Sequence, residues 1–249
     1  MLIELDKIYA VWLRELKRFT NSKGRMIGSL GMPLLFMFAL GSGISSLMPG
    51  LNYNLFIVPG IVGMTLLFNS MFSGVSIIWD REFGFLKEML VTPTARINIV
   101  LGRILGGATS SVMQGIIILL LGTFMGLSLP SPLNLLLAVC VMLLISALFV
   151  GVGIAIASLI REVETFQLIM NFFIMPLFFL SNALFPLDKM PGWLRGIASV
   201  NPLTYGIDAL RDLLLGSGAN PLMLNLGVLL AFVCVVVAAA SYFFERTSI

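Results

Sequence analysis

Residues 26–79 contain no Asp, Glu, Lys or Arg, and neither do residues 104–160. A membrane-crossing helix needs about 20 consecutive apolar residues, so each neutral stretch has room for two such helices joined by a turn. A water-facing fold built from the same residues fails on charge. Soluble domains carry about a quarter charged residues, whereas this chain has 11% charged and 59% hydrophobic residues. A bilayer is the solvent that fits this composition.

Breakers divide the neutral stretches. Pro49 and Gly50 separate Met26–Leu47 from Leu55–Trp79, and Pro130 and Pro132 separate Ile104–Leu127 from Asn134–Leu159. A fifth span is expected from Thr165 to about Leu187 and a sixth from Leu222 to Phe244. The fold class is therefore all-α integral membrane, with six transmembrane helices, an N-terminal interfacial amphipathic helix, and short outer helices between the fifth and sixth spans. The 249 residues leave room for one transmembrane domain over 1–249 and no appended globular one. Its parts are a cytoplasmic helix in 1–25, spans one to five in 26–187, outer interfacial or re-entrant helices in 188–218, and the last span with a cytoplasmic tail in 219–249. The first 25 residues hold no apolar run of signal-peptide length, so the first span is expected to insert as an uncleaved anchor. Cys140 and Cys234 fall inside apolar runs and read as buried, inert thiols rather than a disulfide framework.

Basic residues fix the expected orientation. With the N-terminus in the cytoplasm, twelve lie inside: Lys7, Arg14, Lys17, Arg18, Lys23 and Arg25 before the first span, Arg81, Lys87, Arg96 and Arg103 after the second, then Arg161 and Arg246. Three lie outside, at Lys189, Arg195 and Arg211. The positive-inside rule gives cytoplasmic N- and C-termini for a multi-pass protein of the cell membrane. The net charge of +3 is thus a matter of orientation, and no nucleic-acid partner is expected.

Leu5, Tyr9, Trp12, Leu16 and Phe19 recur at helical spacing, with Lys7, Arg14, Lys17 and Arg18 on the other side. This pattern describes a helix lying along the membrane surface. The outer segment from Asp188 to Gly218 carries two helix starts: Pro191, leading through Trp193 and Ile197, and Asn201-Pro202, an N-cap followed by proline at the first helical position. Leu203, Ile207, Leu210 and Leu214 follow on one face, among Asp208, Arg211 and Asp212, and Gly216 or Gly218 stops the run. Pro176, Asn182 and Pro186 predict a broken outer half in the fifth span.

The chemistry missing from the sequence excludes several function classes. Without histidine there is no Ser-His or Cys-His catalysis, and the commonest metal-ligand sets are lost. A phosphate loop needs Gly-Lys before Ser or Thr, but the lysines follow Asp6, Leu16, Ser22, Leu86 and Asp188. The spans carry no ionisable relay of the kind that proton-coupled carriers use. Their polar groups, among them Asn69, Gln114, Asn171 and Asn182, suit interhelical hydrogen bonds, and Gly102/Gly106 has the spacing of a close helix contact. Either such a chain conducts passively, or its energy comes from another polypeptide.

The stretch from Asp80 to Arg103 reads DREFGFLKEMLVTPTARINIVLGR. Arg81, Glu82, Lys87 and Glu88 surround Phe83, Phe85, Leu86, Met89 and Leu90, and Pro93 ends the run. A short charged helix with an apolar face, fixed to two spans, suits transmission of force from a soluble partner. Here the chain resembles the permease subunits of type-2 ATP-binding-cassette exporters, particularly the daunorubicin-resistance type. One matching pattern is Arg81-Glu82, Gly84, Leu86, Glu88 and Thr92-Pro93. The other is Phe185-Pro186, Pro191, Trp193-Leu194, Asn201-Pro202-Leu203-Thr204-Tyr205 and Asp208-Arg211. Phe85 and Lys87 depart from the residues usual at their places.

The resemblance implies a permease dimer bound to two cytoplasmic nucleotide-binding subunits, which hold ATP and Mg. It makes Arg81, Glu82, Gly84, Phe85, Leu86, Lys87, Glu88, Thr92 and Pro93 the ATPase-coupling helix. Trp12, Arg14, Leu16 and Lys17 become an adjoining interface helix, and Asn201, Pro202, Tyr205, Asp208 and Arg211 the outer-helix motif. The chain itself would carry no catalytic, cofactor or metal site. The expected cargo is an amphiphilic or hydrophobic compound moved outward among membrane lipids. The alternatives are a polysaccharide or lipid-linked glycan as cargo, or a passive channel or scaffold.

Overall fold

The computed structural model describes residues 4–45, 52–85 and 95–246. Among these there is no β-strand. The helices are α1 (Leu5–Asn21), α2 (Lys23–Ser45), α3 (Tyr53–Ser73), α4 (Val75–Glu82), α5 (Arg96–Gly122), α6 (Pro132–Leu159), α7 (Val163–Phe179), α8 (Gly192–Val200), α9 (Pro202–Leu215) and α10 (Leu222–Glu245). Five stretches among the described residues are long and apolar enough to cross a membrane: Met26–Ser45 in α2, Tyr53–Glu82 through α3 and α4, Arg96–Met125 through α5, and the helices α6 and α10. The helix α7 is apolar but shorter.

The core lies between α3, α5, α6 and α9, with Ile57, Leu66, Met142, Phe149 and Ile207 fully or almost fully buried. Cys140 and Cys234, expected to be buried, are instead exposed on the outer surface of the bundle. A span apolar on every side gives no periodic signal of which side faces protein. In α1 the stripe is also rotated from its expected position. Ile8 and Phe19 are buried, whereas Leu5 and Tyr9 are exposed.

The second span breaks at Gly74, where α3 ends and α4 begins. A Cβ on Gly74 would meet the backbone of Gly153 in α6, and one on Gly153 would meet the Met71 carbonyl. The two backbones touch directly, which only glycine permits on both sides. Gly84 ends the following turn with φ +75°, a conformation that disfavours side chains. That accounts structurally for the glycine in the Arg81–Pro93 pattern.

The fifth apolar helix stops at Phe179, eight residues short of the expected Leu187. The chain then turns, and the Ala183 carbonyl sits against Gly60 of α3. Pro191 caps α8, and Asn201 caps α9 by accepting the Leu203 N–H at 3.0 Å. Leu203, Ile207, Leu210 and Leu214 are all buried, and Ile207 packs on Gly63, ten residues into α3. At 1.5 Å per residue, α9 reaches about 15 Å below the start of α3. It therefore enters the bundle instead of lying on its surface.

Asn201 also donates from Nδ2 to the Leu177 carbonyl at 2.7 Å, tying the cap to α7. Replacing Asn201 with Ala is expected to lower stability by about 0.5–2 kcal/mol, the usual range for a lost N-cap. Thermal unfolding of the purified variant checks this, and an unchanged midpoint would contradict the cap.

Candidate functional site

One end of the bundle collects α1, α4, the start of α5 and the end of α6. There Asp80, 7% exposed on α4, meets Arg103, 3% exposed on α5. Asp80 Oδ2 accepts from Arg14 Nη2 of α1 at 2.5 Å and also from Arg103 Nη2. Arg18 Nη1 lies 4.0 Å from Asp80 Oδ1, and Glu15 Oε1 lies 3.9 Å from Arg103 Nη1. Arg103 Nη1 donates to Ser76 Oγ at 3.0 Å. Five ionic side chains from three helices thus form one cluster, and the two ends of the Asp80–Arg103 stretch meet in space.

Two packed pairs of helices flank this cluster. Gly102 and Gly106 of α5 let α1 approach closely at Ile8, Val11, Trp12 and Glu15, and Trp12 Nε1 donates to Thr109 Oγ1 at 3.1 Å. The small-residue spacing read from the sequence serves this contact. On the other side, Arg81 Nη1 donates to the Ile160 carbonyl at 2.8 Å, fastening α4 to the end of α6. Arg81 therefore serves the carbonyls that α6 leaves unsatisfied at its C-terminus.

A cavity of about 420 Å³ opens beside the cluster. Glu15 and Arg18 of α1 and Ser76 and Trp79 of α4 line its charged end. Deeper in, Met32 and Pro33 of α2 face Met64, Phe68 and Phe72 of α3, and Gln167 of α7 closes another side. Thr65 and Asn69 supply polar groups. Asn69 Nδ2 donates to Gln114 Oε1, and Gln114 Nε2 donates to Ser29 Oγ at 2.7 Å, so one amide chain links α3, α5 and α2. The cavity's walls are mainly apolar with a few fixed polar groups, as in small-molecule sites, and its volume falls in their range of about 300–1,000 Å³.

The residues singled out in the sequence fall into separate groups. Glu82, the last residue of α4, and Phe85 just beyond it are exposed, and Phe85 lies against Arg14, whose guanidinium carbon is 4.3 Å from the ring centre. Leu86, Lys87, Glu88, Thr92 and Pro93 lie outside the described residues. On α1, Trp12 and Arg14 bond into the bundle, Leu16 is half-buried and Lys17 is exposed.

The outer-helix motif sits at the opposite end, and there it holds structure together. Asp208, fully buried, accepts from the backbone N–H of Ala219 at 2.9 Å, from that of Asn220 at 2.8 Å, and from Asn225 Nδ2 at 3.0 Å. Arg211 donates to the Asn182 carbonyl at 3.0 Å and stands 3.9 Å over the Phe56 ring. Pro202 opens α9, and Tyr205 Oη donates to the Ser199 carbonyl at 2.7 Å across the turn between α8 and α9. Sequence reasoning missed the Asp80 cluster as a unit. Its signal was there: Asp80 is the charge that ends the first neutral stretch and Arg103 the one that precedes the second.

The comparisons with known proteins agree with this architecture. The family model described as ABC-2 type transporter matches residues 6–215. The chain is 35% identical over 198 residues to ycf38 of Cyanophora paradoxa, a transport permease by name, covering 76% of this chain and 67% of that protein. It is 27% identical over 232 residues to Nodulation protein J of Rhizobium leguminosarum bv. viciae, covering 91% and 89%. To the Inner membrane transport permease YadH of Escherichia coli K12 it is 26% identical over 231 residues, covering 90% and 89%. The apolar helical bundle and the match across residues 6–215 lead to one conclusion: this chain belongs to the ABC-2 type transporter family and is a multi-pass membrane transport subunit.

Proposed function

We propose that the chain is the transmembrane half of an ATP-driven exporter and moves an amphiphilic or hydrophobic compound outward. Two copies pair with each other and with two cytoplasmic ATP-binding subunits, which hold ATP and Mg²⁺. The end bearing α1 and α4 faces the cytoplasm, with both chain termini on that side. The helix α7, with the turn after it, acts as a shortened fifth of six spans. The segment from Arg81 to Pro93 is the coupling helix, α1 runs along the membrane interface beside it, and α9 closes the outer end.

The observation that supports this reading most is the position of the cavity. Its charged end is walled by α4, which runs into the coupling segment, and by α1, whose Arg14 lies against Phe85 of that segment. A movement imposed on that segment reaches the cavity wall within one helix length. The mixture of Met and Phe side chains with Thr65, Asn69 and Gln167 suits a molecule with an apolar body and a polar part.

Purification tests the reading directly. Extracted in mild detergent from its own cells, the chain is expected to bring down an ATP-binding subunit. That complex should hydrolyse ATP and respond to amphiphiles, whereas the isolated chain should bind no nucleotide. Saturable nucleotide binding to the isolated chain, or passive flux through it with no ATPase associated, would overturn the proposal.

A further inference from the structure

The cavity beside the Asp80 cluster has a polar wall that offers far more acceptors than donors. Ser29, Asn69, Ser73 and Ser110 line it, and all four are half-buried. Each serine gives its only proton to a carbonyl of its own helix. Ser29 Oγ donates to Met26 at 3.1 Å, Ser73 Oγ to Ser70 at 2.6 Å, and Ser110 Oγ to Gly107 at 2.9 Å. A hydroxyl has one proton and two lone pairs, so what remains on these groups only accepts. Pro33 stands on the same wall and has no N–H to give the Ser29 carbonyl of α2.

An amide can present either end, but its neighbours fix Asn69. Ser29 Oγ accepts from Gln114 Nε2 at 2.7 Å and cannot donate back, because the Met26 carbonyl holds its proton. Gln114, fully buried, therefore turns Oε1 toward Asn69. Asn69 answers with Nδ2, which also donates to the Thr65 carbonyl at 3.0 Å. The opposite orientation would set its oxygen against two acceptors. Asn69 Oδ1 is left with no donor among the described residues. Donors on the cavity wall lie elsewhere, on Arg18 and Trp79 at the charged end and on Gln167, exposed on α7.

A wall of acceptors selects its guest. A group that fills the space without donating leaves these oxygens desolvated and unpaired, whereas an N–H or O–H restores the bond lost with water. We propose that the cavity takes amphiphiles whose polar part donates hydrogen bonds, and that Asn69 Oδ1 is the atom that selects them. Alcohols, amide N–H groups and ammonium groups meet this rule, and ethers, ketones and esters do not. The apolar body lies against Met32, Met64, Phe68 and Phe72. The inference rests on the reading of this cavity as the place where an exporter holds its cargo.

Two isomers, dodecanol and undecyl methyl ether, differ in the O–H and test the rule on the full chain in lipid nanodiscs. Phe72→Cys puts a thiol on the cavity wall after Cys140→Ala and Cys234→Ala, and each isomer is titrated against the rate of maleimide labelling. With concentrations corrected for partition into the bilayer, dodecanol is expected to protect the thiol at a concentration about two- to tenfold lower, the range set by one hydrogen bond. Asn69→Leu should abolish that preference and leave protection by the ether little changed, since a merely structural defect would weaken both isomers alike. Equal midpoints with Asn69 in place, protection by neither isomer, or a preference retained in Asn69→Leu overturns the proposal. If Asn69→Leu does not fold, the comparison with Asn69 in place decides. No nucleotide enters these titrations. A complex that hydrolyses ATP without moving cargo therefore removes the exporter reading while the selectivity stands, and lost selectivity leaves the exporter reading untouched.

Discussion

Asp208→Ala is expected to destabilise the protein by about 3–5 kcal/mol, the cost of removing one member of a buried charged network. The carboxylate is fully buried and takes three donors, from Ala219, Asn220 and Asn225. Alanine leaves all of them without an acceptor at a depth where water cannot substitute, and each unpaired buried donor costs about 1–3 kcal/mol. It also removes the acidic neighbour of Arg211, which is 4% exposed one turn along α9. Asp208→Asn keeps one acceptor oxygen but turns an amide N–H₂ toward a backbone donor, so an intermediate loss is expected. Thermal or denaturant unfolding in detergent ranks the three proteins. Equal stability of Asp208→Ala and wild type would contradict the network.

The second large effect is expected at Gly153. Valine there drives its Cβ into the Met71 carbonyl, and valine at Gly74 drives into the Gly153 backbone. Neither obstacle is a flexible side chain that can swing aside. Overpacking of this sort costs about 1–3 kcal/mol and more where backbone must move, so both variants should fall at or above the top of that range. Gly227→Ala is the control. Nothing lies within 4 Å of its Cβ position in α10, and alanine favours a helix over glycine by about 0.5–1 kcal/mol. That variant should be as stable as wild type or slightly more so. If Gly153→Val behaves like Gly227→Ala, the α4–α6 contact is not a fixed point.

These two sites show what a single sequence carries and what it does not. Asn201-Pro202 starts a helix by chemistry contained in neighbouring residues, and that cap forms as expected; Ser131-Pro132, read only as part of a turn, caps α6 in the same way. The mainly apolar spans were legible because a bilayer demands long neutral runs. The start of α5 was not. It begins at Arg96, eight residues before the expected Ile104, because Arg103 finds Asp80 across the bundle and needs no water. That partner is distant in sequence, so no local rule reports it.

The same limit hid the cavity. Asn69 and Gln114 were legible as interhelical hydrogen-bonding groups. Their closeness to Ser29, Arg18 and Gln167 depends on how α1, α2 and α7 pack. The rotation of α1 was lost for a related reason. Its inner face is selected by the glycines of α5 rather than by its own largest side chains.

The central claim, that energy enters from a separate subunit at the end bearing α1 and α4, has a direct test in crosslinking. A photoreactive phenylalanine analogue replaces Phe83, 82% exposed just past α4, or Phe124, 84% exposed at the opposite end. Irradiation of native membranes is expected to join the Phe83 probe to an ATP-binding subunit, and the Phe124 probe to none. Capture of that subunit by the Phe124 probe, with none at Phe83, would contradict the account.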